Sequence, residues 1–236
     1  MEYTCRVVES RSLTPSVFHL TFTPDRELDF KAGQYISVVV PQDGKPLRRP
    51  YSIASAPNVS PIELCIQRIE HGPGNTYLQN LKVGETFHGF APYGFLLYHP
   101  KPHRDAIFLS TGTGLAPFRS MVLSKEYQDE PPRKATCLLG VRDEKEILYA
   151  DDMSQVAGLE WVPCLSRVDQ CAPGHFKGRV TQYLYEHAKQ IAWHETDFYL
   201  CGNGAMIDEV KKLLKDKGVG KEAIYQEIYF KPPKTA

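Results

Sequence analysis

The chain carries six cysteines, Cys5, Cys65, Cys137, Cys164, Cys171 and Cys201, but no Cys-x-x-Cys pair. The ligand spacing of an iron–sulfur cluster or a zinc site is therefore missing, and no metal centre is expected. Cysteines inside apolar, strand-like segments are expected as reduced core residues. Long apolar runs are missing too. No window approaches the ~18 residues of a membrane span, and the opening MEYTCRVVES has no apolar signal core, so a cytoplasmic protein without a membrane span is expected. Neither charge sign dominates: Lys+Arg and Asp+Glu stand at 28 each. A general nucleic-acid binder draws its affinity from a basic excess, so no nucleic-acid partner is expected.

What is present is a globular composition, 42% hydrophobic over 236 residues, enough for one large domain or two ordinary ones. The pattern changes character near the middle. In the first hundred residues, Phe18, Leu20 and Phe22 alternate with His19, Thr21 and Thr23, the period of a half-buried strand. Tyr35 to Val40 reads as another strand, and Ile62, Leu64 and Ile66 alternate with Glu63, Cys65 and Gln67 in a third. Short strands punctuated by Pro, Gly and Asp favour a small antiparallel barrel or sandwich. In HGPGNTYLQNLKVGE, two glycines precede a short helical stretch expected to end near Gly84; such a loop suits a phosphate, or is simply a turn. A strand over Thr86 to Phe90 follows, and the prolines and charges of Pro100 to Asp105 mark a boundary between domains 1–101 and 102–236.

Beyond it, AIFLS, TCLLGV, LEWVPCL, DFYLC and AIYQEIYF are short apolar runs separated by helical stretches or long loops. That is the pattern of a doubly wound parallel α/β domain, whose ligands bind outside the carboxyl ends of the strands. Phe118, Met121 and Val122 fall at helical spacing after Pro117, and Ile207, Val210, Leu213 and Leu214 form a stripe that Gly218 is placed to end.

Four stretches carry candidate chemistry. In LRRPYSIASAP, Leu47 to Pro57, Pro50 biases Arg49 towards an extended conformation, which puts Arg49 and Tyr51 on one face while Ser52 takes the other or marks a bend. An arginine fork and a tyrosine ring together suit a flat, phosphorylated ligand such as a flavin nucleotide. In STGTGLAPFRS, Gly112 and Gly114 let the backbone approach a pyrophosphate at the start of a helix near Ala116. Pro117 stands where the dinucleotide fingerprint asks for a third glycine, so the stretch is a relative of that fingerprint and not a match. In LSRVDQCAPGHFKGRV, Ser166 and Arg167 close a strand and Lys177 and Arg179 follow; the arginines favour a 2′-phosphate, and Asp169 competes with that reading. In FYLCGNGAMIDE, Cys201 ends a strand, and Gly202 and Gly204 precede the next helix.

Taken in order, these motifs resemble the ferredoxin–NADP reductases, of the plant-type superfamily of flavin oxidoreductases. RPYS (Arg49, Pro50, Tyr51, Ser52) is similar to the flavin-binding box, LCIQRI with Cys65, Ile66 and Gln67 to the neighbouring strand, and TGTGLAPFRS to the NADP pyrophosphate loop. The Ser166–Arg167 pair, CGNGAM and the terminal EIY of Glu227 to Tyr229 complete the series. The resemblance implies a flavin-binding β-barrel followed by a nucleotide-binding α/β domain, with FAD and NADP(H) as cofactors and FMN as the alternative to FAD. It implies that Arg49 holds the flavin phosphate, Tyr51 stacks on the isoalloxazine and Ser52 bonds near N5. Gly74, Asn75 and Thr76 would cradle the FAD pyrophosphate, and Thr113 and Gly114 that of NADP. Cys201 and Glu227 would flank the nicotinamide, and Tyr229 would cover the flavin until the nicotinamide displaces it. Asn75 stands where relatives often have serine, and Lys231 to Ala236 extend past Tyr229. The implied activity is hydride transfer between NADPH and flavin N5, coupled to one-electron exchange with a separate ferredoxin or flavodoxin, in a monomer or weak dimer. The reductase component of an oxygenase, or an NAD(P)H:flavin reductase, is the rival reading.

Overall fold

The computed structural model describes residues 1–42, 44–70 and 72–230, apart from the side chains of Tyr229 and Phe230. Two units form: Met1–Tyr98 together with Ala116–Lys125, and His99–Leu115 together with the chain from Glu126 onward.

Alternating apolar residues build the first unit. Its elements are β1 (Glu2–Thr14), β2 (Val17–Pro24), β3 (Tyr35–Val40), β4 (Leu47–Ser52), β5 (Ile62–Gln67), the helix α1 (Pro73–Asn80) and β6 (Thr86–Tyr93). The six strands form an antiparallel sheet in the order β4-β3-β6-β1-β2-β5. Its two edges meet where Ile53 bridges Leu64 and the Ala54 N–H donates to the Glu63 carbonyl at 2.8 Å, which closes the barrel. Phe18, Leu20, Phe22, Ile36, Leu64 and Phe87 fill the interior. Phe22 meets Phe87 edge-on with ring centroids 5.2 Å apart. Burying each such ring contributes about 2 to 3 kcal/mol.

Two local expectations are corrected. On β2, His19 and Thr21 are buried as well as the apolar set, so the strand is covered on both faces. Ala116–Lys125 belongs to the same unit, and its Arg119 bonds to the Ala54 carbonyl and to Glu63, which stands opposite Thr21 on β5. Helix α1 ends at Asn80 and not near Gly84, because Leu81 turns to extended backbone. Gly84, at φ +90°, instead shapes the turn into β6, its N–H donating to the Val7 carbonyl at 2.9 Å.

After the first six strands come β7 (Asp105–Thr111), α2 (Ala116–Val122), α3 (Lys125–Asp129), β8 (Ala135–Val141), α4 (Ala150–Ser154), β9 (Leu159–Leu165) and β10 (Phe176–Lys177). The chain ends with α5 (Val180–Glu186), β11 (Thr196–Asn203), α6 (Gly204–Asp216) and β12 (Ile224–Phe230). The second sheet is parallel throughout, in the order β10-β9-β8-β7-β11-β12. Every apolar run read from the sequence is a strand of it; β10, only two residues long, carried no periodic signal. The barrel and the doubly wound sheet expected from the sequence are thus both present. Helix α6 buries Ile207, Val210, Leu213 and Leu214, as its spacing requires. Asn203 caps its start by accepting the Ala205 N–H at 2.8 Å, and Gly218, at φ +73°, follows its end. Strand order reverses between β7 and β11, and the carboxyl ends of these two strands form the crevice where such sheets take their ligands. Among the described residues, no helix is long and apolar enough to cross a membrane.

Candidate active site

In β4 the extended backbone sorts the side chains as expected: Arg48 and Pro50 are exposed, while Arg49 and Tyr51 share the half-buried face. Ser52, the last residue of the strand, is buried. Helix α1 closes on this pair through Gly74. A Cβ built on Gly74 would lie 2.5 Å from the Tyr51 hydroxyl and 2.9 Å from Arg49 Cγ, so only glycine permits the approach. Beside it, the Tyr51 hydroxyl donates to Asn75 Oδ1 at 3.3 Å, and Asn75 Nδ2 donates to the Gln67 carbonyl at 2.5 Å. One amide therefore ties the clamp strand to β5. Burial pushes the Tyr51 phenol up to about 12 against the opposing pull of Arg49, so it stays a protonated donor.

The start of α1 is open to an anion. Its N-cap, Gly72, offers no side-chain bond, Pro73 follows, and no acidic residue stands in the first turn. Thr76 is exposed next to this start. A groove of about 850 Å³ beside it is lined by Val40, Pro41, Glu70, Thr76 and Tyr77. Ser52 Oγ is buried with no hydrogen-bond partner among the described residues. A hydroxyl left in that state costs about 1 to 3 kcal/mol, a cost that a ligand atom accepting or donating there removes. With the Gly74 cradle and the uncapped helix, this fits a flat cofactor carrying phosphates. On β5, Cys65 is buried and Gln67 exposed, whereas the side chain of Ile66 is part of the barrel interior. Any contact of Ile66 with a cofactor is thereby left to its backbone.

In the second unit, the ends of β7 and β11 are drawn together by one side-chain bond and a close backbone approach. The Asn203 N–H donates to Thr111 Oγ1 at 2.9 Å. A Cβ on Gly114 would sit 2.8 Å from the Cys201 carbonyl carbon and 2.9 Å from Gly202 Cα, and Gly202 itself adopts φ +132°. The loop from Gly112 to Leu115, which carries half-buried Thr113, therefore lies directly against Cys201–Gly202. Cys201 is fully buried and stands in register with Glu227 on β12 and Ser110 on β7. Cys201 and Glu227 are thus neighbours on adjacent strands, with Glu227 half-buried. Tyr229 belongs to β12 by its backbone; its side chain, and residues 231–236, lie outside the described residues.

A basic rim follows the carboxyl ends of β8 to β10. Ser166 and Arg167 leave β9, where Ser166 Oγ donates to the Val141 carbonyl at 3.1 Å and the Arg167 N–H to the Arg142 carbonyl at 2.8 Å. Arg142, Arg167, Lys177 and Arg179 are all exposed. Lys177 turns back on its own loop, donating to the Asp169 carbonyl at 2.8 Å, and Arg179 opens α5 with its N–H bonded to Gln182 Oε1 at 2.7 Å. Sequence reading missed Arg142 and Thr111. Each follows or closes an apolar strand at the ligand edge, and that position was the available signal.

The chain matches known proteins over nearly its whole length. An oxidoreductase FAD-binding domain matches residues 4–98, and an oxidoreductase NAD-binding domain matches residues 108–212. The chain is 31% identical to ferredoxin–NADP reductase B of Sorangium cellulosum, over 96% of this chain and 97% of that protein. It is 28% identical to the toluate 1,2-dioxygenase electron transfer component of Pseudomonas putida, over 96% of this chain and 67% of that protein. Its fold matches a ferredoxin NADP+ reductase from Neisseria gonorrhoeae, solved with bound FAD and NADP, with a TM-score of 0.87 at 22% identity, covering 97% and 99% of the two chains. An FAD-binding barrel joined to an NAD-binding sheet, carried by a sequence that matches a reductase end to end, makes this chain a member of the ferredoxin–NADP reductase family of flavin oxidoreductases.

Proposed function

We propose that this protein is an NADPH-dependent FAD oxidoreductase that exchanges a hydride at flavin N5 and single electrons with a separate ferredoxin or flavodoxin. The observation that carries the reading is the buried, unsatisfied Ser52 hydroxyl at the end of the Arg49–Tyr51 clamp. FAD, when bound, supplies the conversion between two-electron and one-electron chemistry. The chain supplies position and electrostatics. Arg49 binds the flavin phosphate, and Tyr51, fixed by Asn75, gives the ring a face to stack on. Gly74, Asn75 and Thr76 hold the pyrophosphate at the start of α1, and the groove beside Thr76 and Tyr77 has room for an adenosine, which favours FAD over FMN. Ser52 orients N5 by a hydrogen bond. Thr113, Gly114 and Gly202 let the backbone reach the NADP pyrophosphate, and Cys201 shapes the nicotinamide pocket beside Glu227, which would relay a proton there. The role of Tyr229 as a flavin cover rests on family likeness alone.

The exposed Arg142, Arg167 and Arg179 support a 2′-phosphate, hence NADPH over NADH. A cytoplasmic setting is part of this reading; burial pushes the Cys5 thiol up to about 12 and raises Cys137 and Cys164 as well, so these thiols are inert core groups and take no part in the chemistry. A second reading, the reductase partner of an oxygenase, is favoured by the likeness to the toluate dioxygenase component. Steady-state assays with purified ferredoxin, flavodoxin and an oxygenase as acceptors, each driven by NADPH and by NADH, separate the two. Fast turnover with ferredoxin or flavodoxin and NADPH supports the reading; equal use of NADPH and NADH overturns the assignment of the arginines.

A further inference from the structure

Helix α2 is seven residues long and every one of them is buried, including Arg119 at 8% exposure and Ser120 at 0%. A buried guanidinium is costly unless its donors are matched. Here Arg119 Nη1 donates to the Ala54 carbonyl at 2.8 Å and pairs with Glu63. Ser120 Oγ donates to the Ser55 carbonyl at 2.7 Å, and Ser55 Oγ accepts the Glu63 N–H at 3.2 Å. Ala54 and Ser55 are the residues that carry the chain away from Ser52. At its other end, α2 begins at Ala116, the residue after the Gly112–Leu115 loop. One helix thus grips the exit of the clamp strand through two buried side chains and continues covalently into the glycine loop.

We infer that Arg119 and Ser120 are positioning residues for hydride transfer, holding the Ala54–Ser55 segment so that the Ser52 hydroxyl keeps its direction. No side chain among the described residues bonds Ser52 Oγ, so its aim is set by backbone. That backbone is pinned upstream by the Ile53 N–H donating to the Gln34 carbonyl at 3.0 Å and downstream by the Arg119–Glu63–Ser120 network. Apolar packing alone would bury α2; the polar bonds of Arg119 and Ser120 additionally fix its register on the barrel. The inference rests on the hydride-transfer reading above.

The test is anaerobic rapid mixing of the FAD-loaded protein with excess NADPH, reading the limiting rate of flavin bleaching, with FAD content and dithionite reduction measured on the same samples. Arg119→Met is expected to keep FAD and to be reduced normally by dithionite, while its limiting bleaching rate falls about ten- to hundredfold, with the NADPH concentration for half-maximal rate shifting less than about threefold. Arg119→Lys, which reaches one of the two acceptors, is expected to recover part of the rate. Should Arg119→Met fail to fold, Glu63→Gln keeps the size of the partner and removes its charge; it is expected to slow bleaching about three- to tenfold. A folded, FAD-loaded variant bleached at the wild-type limiting rate overturns the inference alone. A wild-type protein that NADPH does not bleach overturns the functional reading, and this inference with it.

Discussion

Around the clamp, the barrel works with side chains: Tyr51, Asn75 and the Gln67 carbonyl form a chain of bonds, and Arg49 lies beside them against Gly74. At the ends of β7 and β11, the close approach is made by backbone, with Gly114 against Cys201–Gly202, and a single side-chain bond, the Asn203 N–H on Thr111 Oγ1, joins it. A side-chain network loses one bond at a time, so damage to it is graded. A backbone contact at van der Waals distance has no slack, and a single methyl group breaks it. The first region should therefore tolerate substitution with partial losses, and the second should fail abruptly.

The largest expected effect is at Gly114. In Gly114→Ala, the new Cβ meets the backbone of Cys201 and Gly202, which cannot swing aside as a side chain can. NADPH-driven turnover is expected to fall on the order of a hundredfold with FAD content unchanged, since a misplacement of this kind is enough for that loss. Next come the arginines. Arg142→Ala combined with Arg167→Ala removes two exposed charges at one strand edge, and the ratio of kcat/KM for NADPH over NADH is expected to drop about ten- to hundredfold, mostly in KM for NADPH. On the barrel side, Asn75→Ala breaks the tie between Tyr51 and Gln67. FAD binding, measured by fluorescence on titrating apoprotein, is expected to weaken about tenfold, with Asn75→Ser in between. An abrupt loss at Asn75 or a mild one at Gly114 would break the contrast.

The smallest effect concerns the buried wall of the barrel. Burial lowers the pKa of His19 from 6.5, helped by Arg11 and Arg119 and opposed by Glu63 and Glu9. The folded chain then holds His19 neutral where the unfolded chain binds a proton, so stability rises with pH through this window and falls as pH drops below 6.5. Thermal midpoints are expected to fall by a few degrees more between about pH 7.5 and 5.5 in the wild type than in His19→Gln.

Periodicity made most of this architecture readable. Phe18, Leu20 and Phe22 announced a strand, and the apolar runs from Ile107 onward announced the parallel sheet, because burial repeats at the period of the backbone. The same logic failed at His19 and Thr21, which lie buried although alternation assigns them to solvent; the segment that bonds to Glu63, opposite Thr21, comes from about a hundred residues away in sequence. At the site, Arg49 and Tyr51 were legible because an extended strand dictates which residues share a face. Asn75 read as a departure from its relatives; its work, joining two strands through one amide, exists only once α1 is folded against them. Arg119 and Ser120 stood inside a quoted motif, yet two of their acceptors are the Ala54 and Ser55 carbonyls, which carry no residue-type signal, and the third, Glu63, meets Arg119 only once the chain is folded.

Anaerobic titration of the purified protein with NADPH, following flavin absorbance, bears most directly on the claim that one chain holds a flavin in its barrel and a nicotinamide on its sheet. The protein is predicted to purify with bound FAD and to be bleached by NADPH at much lower concentration than by NADH. A protein that purifies without flavin, or whose flavin stays oxidised under excess NADPH, would contradict it.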